Sequence, residues 1–403
     1  MASLLSVTAS FSADAVETGA EKLAAEEFRT LGTMRVGLIT NHTATVGDRH
    51  LADAIHEAKG PKLTALFGPE HGIRGDAPAG AKVDDAVDPQ TQTPVYSLYG
   101  PLKKPTQEML ENVDILLFDI QDVGARFYTY ISTMGYGMQA AAEKGIPFMV
   151  LDRPNPLGGE LVEGFVLEEE VKSFVGLYPI PIVHGLTVGE LARMIQGEKM
   201  IDGVEELDLR IVELGGWERN IRWDDLDRNW NPPSPNLPDF ETAAIYPGTC
   251  FFEGTSGSEG RGTYEPFRVI GAPWIDSEKF VGELNEAGLS GLRFEQTTFV
   301  PKEIPKMAAR PKHQDTRTHG VRIFITDSKE VQPVATGIHL LTAFMKQAPE
   351  GEIVLREGFL ANLAGTKRLA QMLRDEIGPD EIIASWKDDI EEFKKRREPY
   401  LLY

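Results

Sequence analysis

The 403-residue chain carries a formal charge of −21, with 41% hydrophobic and 26% charged residues, which suits a soluble globular enzyme of two or three domains. So acidic a chain is repelled by nucleic acid and by anionic membrane surfaces, and no stretch approaches the length of a transmembrane helix. Cys250 is the only cysteine, so no intrachain disulfide can form, and in PGTCFFEG it reads as a small buried hydrophobe rather than a nucleophile. The first fifteen residues are mildly apolar, yet no Lys or Arg precedes Lys22, so residues 1–17 read as a tail without a clear secretory signal, cytoplasmic by default, or as the remnant of a leader.

In chain order, an amphipathic helix over 18–31 leads into a strand at 34–40. A helix over 48–59 and a strand ending at Phe67 follow. The Gly- and Pro-rich segment from Gly68 to Gly100 has no helical period and reads as one long functional loop. A strand at 114–120, a helix over 127–144 and a strand at 147–152 continue the alternation. Thr187 and Glu190 stand at capping-box spacing and open a helix just beyond His184. Residues 217–240 are dense in Trp and Pro, which excludes a helix or central strand and predicts a rigid wall over the sheet edge. Beyond Asp276 come a helix at 277–287, strands near 292–299 and 320–326, and three helical stretches to the C-terminus.

Four strands, in MRVGLITNHT, KLTALFGPEHGIRG, VDILLFDIQDVGARFYTY and IPFMVLDRPNPLGG, are apolar until their C-terminal ends, as strands buried on both faces of a parallel sheet are. The fold expected is α/β, a Rossmann-like, mostly parallel doubly wound sheet with a second, smaller α/β domain. The catalytic domain spans 18–275, and the C-terminal domain, 276–403, completes the cleft. Such sheets bind ligands outside the carboxyl ends of their strands, so His42, Glu70, His71, Asp119, Asp122, Arg126 and Asp152 are expected to converge there.

GPEHG is the sharpest local signal, because flanking glycines let the loop lift Glu70 and His71 into a cleft where a carboxyl can act as general acid or base. In FDIQDVGARFYTY one of Asp119 and Asp122 orients Arg126 while the other faces substrate; in LDRPNP the two prolines make a turn that fixes the fold around Asp152 and Arg153. SGSEGRGTYEPF offers Glu259 and Arg261 in a glycine loop. Its spacing is neither a phosphate loop nor a dinucleotide fingerprint, so Arg261 is read as a fork for a carboxylate, and no nucleotide is expected. His42, His71 and His184 with Asp119 have the donor types of a zinc or manganese site. No zinc-ligand spacing supports it, so no metal or other cofactor is expected. G-x-S-x-G is absent at any strand-to-helix turn, which argues against a serine hydrolase.

Together GLITNHT, LFGPEHGIRG, PVYSLYG, FDIQDVGARFYTY, LDRPNPLGG, WNPPSPNLP, YPGTCFFEGT, SEGRGT and the C-terminal YLLY resemble the NamZ-type exo-β-N-acetylmuramidase family over nearly the whole chain, from about Thr18 to Tyr403. The resemblance implies a Rossmann-like N-terminal domain, a smaller C-terminal domain and release of terminal N-acetylmuramic acid from the non-reducing end of peptidoglycan fragments, in a secreted or periplasmic setting. The glutamate of the family's GPEHG motif falls on Glu70. Ser256 and Gly257 depart from the expected pattern and bear on fine substrate contacts. Glycoside hydrolysis needs two carboxyls, or one with an assisting 2-acetamido group, and Glu70 with Asp119 or Asp122 can supply the pair. Trp217, Trp223, Trp230 and Tyr264 offer faces for sugar rings, although at least half of them read as core. The lactyl carboxylate of muramic acid calls for a bidentate arginine among Arg74, Arg126 and Arg261. His42, Tyr130, Asp152, His184, Asn236 and Glu259 complete the expected substrate contacts. Two other readings are a muropeptide-binding protein without activity, and an esterase or amidase acting on muropeptides.

Overall fold

The computed structural model describes residues 16–70, 72–75, 86–349 and 355–403; His71 lies outside them. The chain enters through α1 (Gly19–Ala25), capped by Thr18 in a complete capping box with Glu21. The helix expected to reach residue 31 stops early, because Glu27 and Phe28 both take positive φ, and the chain turns into β1 (Arg35–Thr40). A small hairpin, β2 (Thr45–Val46) and β3 (Arg49–His50), precedes α2 (Leu51–Glu57), and β4 (Lys62–Gly68) follows. The segment after β4 holds β5 (Ala86–Val87) and β6 (Pro94–Ser97), two strands where the sequence suggested only loop. Next come β7 (Ile115–Asp119), α3 (Tyr130–Lys144), β8 (Phe148–Leu151), α4 (Val188–Gly197) and β9 (Leu209–Val212).

These strands form one seven-stranded sheet in the order β5-β6-β4-β1-β7-β8-β9. Every pairing is parallel except that of β5 with β6. All residues of β7 and β8 are buried, which is why their sequences are continuously apolar rather than alternating. From β1 the chain first winds outward through β4 to β6, then returns to the other side of β1 with β7. The strand order therefore reverses between β1 and β7, where open α/β sheets place ligands.

The segment 217–240 runs as irregular backbone with a single 3₁₀ turn, as its prolines require. Helix α5 (Phe240–Thr249) then leads to β10 (Val269–Ala272), α6 (Ser277–Glu286), β11 (Leu292–Phe299) and β12 (Thr318–Ile325). These three strands make an antiparallel sheet in the order β10-β12-β11. The chain thus enters the second sheet ahead of residue 276, and a boundary there would part β10 from the strand it pairs with. Helices α7 (Pro333–Met345), α8 (Glu357–Ala364), α9 (Arg368–Arg374), α10 (Pro379–Ala384) and α11 (Lys387–Arg397) complete the chain. A single apolar core runs from β7 and α3 through α5 and β12 to α7 and α11, so the two sheets are packed as one body. At the closest approach of α5 and α7, a Cβ on Gly248 would fall 1.8 Å from the Pro333 carbonyl oxygen, so that contact requires glycine. Among the described residues no helix is long and apolar enough to cross a membrane.

Candidate functional site

The polar ends of the central strands meet at one sheet edge, but most of them are used up there by the fold. Asp119, at the end of β7, is fully buried and holds Arg153 through both carboxylate oxygens, at 2.5 and 2.9 Å. The expected pairing of Asp119 or Asp122 with Arg126 does not form. Arg126 is also fully buried, and its fork donates to the carbonyls of Phe165 (2.7 Å), Ile180 (2.9 Å) and Leu363 (2.9 Å). Without a carboxylate, burial draws the guanidinium down to about 9. Asp152 accepts from Gly189 N, Thr187 Oγ1 and Tyr403 Oη at 2.7–2.8 Å, tying the start of α4 and the C-terminal residue to the end of β8. Arg74 is forked between Asp53 and Asp88. His184 is buried, its Nδ1 accepting from Leu186 N, and burial pushes its imidazole down to about 3. His42 Nε2 rests on the Pro232 carbonyl at 2.7 Å. None of these seven side chains lines the cavity described next.

Asp122 is the odd member of that edge. One carboxylate oxygen accepts from Gly124 N at 2.7 Å, the other is buried without a hydrogen-bond partner, and burial pushes the group up to about 7.

In front of the edge lies a cavity of about 630 Å³. Its walls come from the loops after β4 (Glu70), β6 (Tyr99, Lys103) and β7 (Tyr128), and from the first residue of α3 (Tyr130). The proline-rich wall adds Ser234 and Asn236, and beyond it stand Tyr246, Glu253, Arg261 and Phe359. The loop after β4 turns at once, Gly72 N donating to Pro69 O with φ of 70° at Gly72, and this brings Glu70 against the Tyr99 hydroxyl. Burial, reinforced by the Glu70 charge, pushes that phenol up to about 12, so at neutral pH Tyr99 keeps its proton and can donate a hydrogen bond to Glu70. Tyr130 donates to the Pro233 carbonyl at 2.8 Å, and its ring meets Tyr128 edge-on at 4.9 Å. Asn236 donates Nδ2 to the Met307 carbonyl at 2.8 Å, which leaves its buried Oδ1 as an acceptor without a partner.

A second, more open cavity of about 490 Å³ adjoins the first, and Glu70, Glu253, Arg261 and Phe359 line both. Arg261 is held by Glu253 at 2.7 Å and by Glu259 at 3.7 Å. Glu259 is in turn bound by Lys312, whose ammonium also donates to the Phe252 and Gly257 carbonyls. Of the residues anticipated from sequence, Glu70, Tyr130, Asn236 and Arg261 come together around the first cavity, and Glu259 joins Glu70 and Arg261 at the second. The sugar-stacking surfaces expected at Trp217, Trp223, Trp230 and Tyr264 are elsewhere. Trp217 packs on Tyr403, Trp223 on Trp230, and Tyr264 is exposed, while the cavity's flat faces are Tyr99, Tyr128, Tyr246 and Phe267.

Tyr99, Lys103 and Glu253 are among the cavity groups that the sequence does not single out. Glu253 stands in CFFEG, inside a segment that carried the family resemblance, and that was the available signal; Lys103, in PLKKP, follows no pattern. The Lys103 ammonium sits 3.8 Å over the Phe174 ring, has no carboxylate partner among the described residues, and is drawn below the usual lysine range by burial. Cys250 touches the cavity as a buried thiol that burial raises well above its ordinary value, the opposite of what a nucleophile needs. Among the described residues no group of three or more His, Cys, Asp or Glu could hold a metal ion.

Comparison with known proteins fixes the lineage. The models of the N-terminal and C-terminal parts of exo-β-N-acetylmuramidase NamZ match residues 36–241 and 244–403. The chain belongs to the NamZ family. It is 46% identical over 389 residues to the peptidoglycan β-N-acetylmuramidase NamZ of Bacillus subtilis, covering 96% of this chain and 91% of that one. Two crystal structures of DUF1343-family proteins from Bacteroides fragilis share the fold. One has a TM-score of 0.87 at 35% identity, over 96% of this chain and 99% of its own; the other has 0.79 at 34%, over 97% and 99%.

Proposed function

We propose that the protein is an exo-acting glycosidase that releases terminal β-linked N-acetylmuramic acid from the non-reducing end of peptidoglycan fragments. Family membership supports the class, and one observation supports the exo mode: Glu70 stands where a walled pocket meets an open cleft. A terminal sugar in the pocket, with the rest of the glycan in the cleft, puts the scissile bond at that junction. An endo-acting enzyme would need a groove open on both sides.

In this reading Glu70 is the general acid, and the Tyr99 hydroxyl orients its carboxyl. The second carboxyl is Glu253, which also faces both cavities and pairs with Arg261 at 2.7 Å. It replaces Asp119, which Arg153 engages, and Asp122, which lines neither cavity. The lactyl carboxylate is assigned to Lys103 rather than to an arginine. Arg74 and Arg126 are consumed elsewhere, and Arg261 already serves two glutamates. The orphaned Asn236 Oδ1 suits the N–H of an acetamido group.

The deciding experiment compares a chromogenic β-N-acetylmuraminide with the matching β-N-acetylglucosaminide, followed by product analysis on peptidoglycan. Release of N-acetylmuramic acid monosaccharide, with preference for the muraminide, is expected; internal oligosaccharides with no monosaccharide would overturn the exo reading.

A further inference from the structure

The open cavity holds charges that the cleavage reaction does not use. Arg310 and Arg356 both line it, from the loop between β11 and β12 and from the start of α8. Both are exposed. Nearly every other arginine is committed to a carboxylate or a carbonyl, as Arg126, Arg153, Arg261 and Arg268 illustrate. Among the described residues only Arg29, Arg310, Arg317 and Arg356 make no side-chain hydrogen bond or ion pair, and two of those four face this one cavity. In a chain of net charge −21, two arginine forks that pair with no carboxylate among the described residues and line the same cavity form a local site for an anion. The other two cations of the cavity cannot serve it: Lys312 spends its three donors on Phe252, Gly257 and Glu259, and Arg261 is held by Glu253 and Glu259.

We propose that this cavity is a carboxylate-binding subsite for the leaving portion of the substrate, in which Arg310 and Arg356 hold the lactyl carboxylate of a second muramic acid. The inference rests on the pocket-and-cleft reading above, with the terminal sugar inside and the leaving glycan in the cleft. Glucosamine and muramic acid units alternate in peptidoglycan. The first leaving sugar is therefore uncharged, and the first anion arrives with the sugar after it, in the outer part of the cleft. A subsite of this kind makes the enzyme read three sugars rather than two and favours longer glycans over the terminal disaccharide.

The test compares kcat/KM on two trisaccharides of equal length, MurNAc-GlcNAc-MurNAc and MurNAc-GlcNAc-GlcNAc, which differ only in the distal lactyl group. The wild-type enzyme should prefer the first by about tenfold or more, the worth of a charge-assisted contact, and lose much of that preference as salt is raised. Arg310→Ala and Arg356→Ala should each lower the ratio, and the double variant should bring it near one, while Arg29→Gln, remote from the cleft, should leave it as in the wild type. A third arm carries a peptide on the distal muramic acid, which converts the lactyl carboxylate to an amide. Loss of the preference there assigns the site to the lactyl group, whereas its persistence would mean that peptide carboxylates are bound instead and would overturn the proposal as stated. A wild type that cleaves both trisaccharides equally, or a ratio unchanged in the double variant, would also overturn it. Should neither be cleaved, the glycosidase reading fails separately, and equilibrium binding of the two trisaccharides to the wild type and the double variant still decides the subsite.

Discussion

Two clusters of acids and cations lie at the carboxyl edge of the same sheet and have opposite fates. In the first, at the ends of β7 and β8, Asp119, Arg153, Asp152 and Arg126 are sealed from solvent, and their charges are spent on one another and on the backbone. In the second, a few residues further along the loops of β4, β6 and the segment after α5, Glu70, Lys103 and Glu253 face a cavity of about 630 Å³. Topology delivers polar residues to this edge without distinguishing structure from chemistry. What separates the two is whether the charges are sealed inside the protein or line a cavity.

The sharpest way to break that comparison is to neutralise one carboxyl in each cluster. Glu70→Gln should fold normally and lose about 10²- to 10⁴-fold in kcat, the usual worth of a general acid, and Glu253→Gln should fall within the same range if it is the partner carboxyl. Near wild-type turnover in Glu70→Gln would remove it from the mechanism. Asp119→Asn should do the reverse. It strands a buried Arg153, so a loss of about 3–5 kcal/mol in unfolding free energy is expected, read by denaturant titration, with little change in the turnover of the protein that remains folded. A stable Asp119→Asn variant with crippled kcat would return Asp119 to the chemistry.

A finer contrast sets Lys103 against Arg126. Lys103→Met keeps the stem over Phe174 and removes the charge, so selectivity for the muraminide over the glucosaminide should fall about 10- to 10²-fold, the value of one hydrogen bond to a charged group. Arg126→Met should lower Tm and leave the selectivity of the folded enzyme alone. If selectivity follows Arg126 and ignores Lys103, the lactyl group is bound at the buried cluster and not in the cavity.

The sequence was most legible where a pattern is local. The Thr187–Glu190 capping box forms with both of its hydrogen bonds, and the apolar runs of β7 and β8 are central strands. Glu70 was visible because a carboxyl between glycines after a strand has few other uses. Strands β6 and β9 were missed for a physical reason: PVYS is short and begins with proline, and LRIV is only half-buried, so neither shows the continuous apolar run of a central strand. The ion pairs differ from expectation because sequence proximity offers Asp119 or Asp122 to Arg126, whereas the fold joins Asp119 to Arg153, 34 positions away. Glu253 and Lys103 acquire their importance from what surrounds them in space, a property no local spacing records.

The smallest expected effect concerns Asp122, which sits at the buried cluster yet is not satisfied by it. Burial lifts its carboxyl to about 7 from an ordinary value near 3.9. Between those values the folded protein keeps a proton that the unfolded chain has released, so this group favours folding at low pH and that contribution is lost as pH rises toward 7 and slightly beyond. Asp122→Asn cannot titrate. Its carboxamide oxygen can still accept from Gly124 N, and the amide takes the place of the oxygen that now lacks a partner. Asp152 and Glu163 are raised to about 7 for the same reason and persist in both proteins, so the difference between variant and wild type isolates Asp122. Measured by denaturant titration, the stability of Asp122→Asn relative to wild type should rise by about 1.4 kcal/mol between pH 6 and pH 8, one tenfold step in proton affinity. A difference that stays flat across that window would mean that Asp122 is ionised in the folded state throughout, with a donor on its second oxygen, and a fall in kcat without the stability change would place it with Glu70 rather than with Asp119.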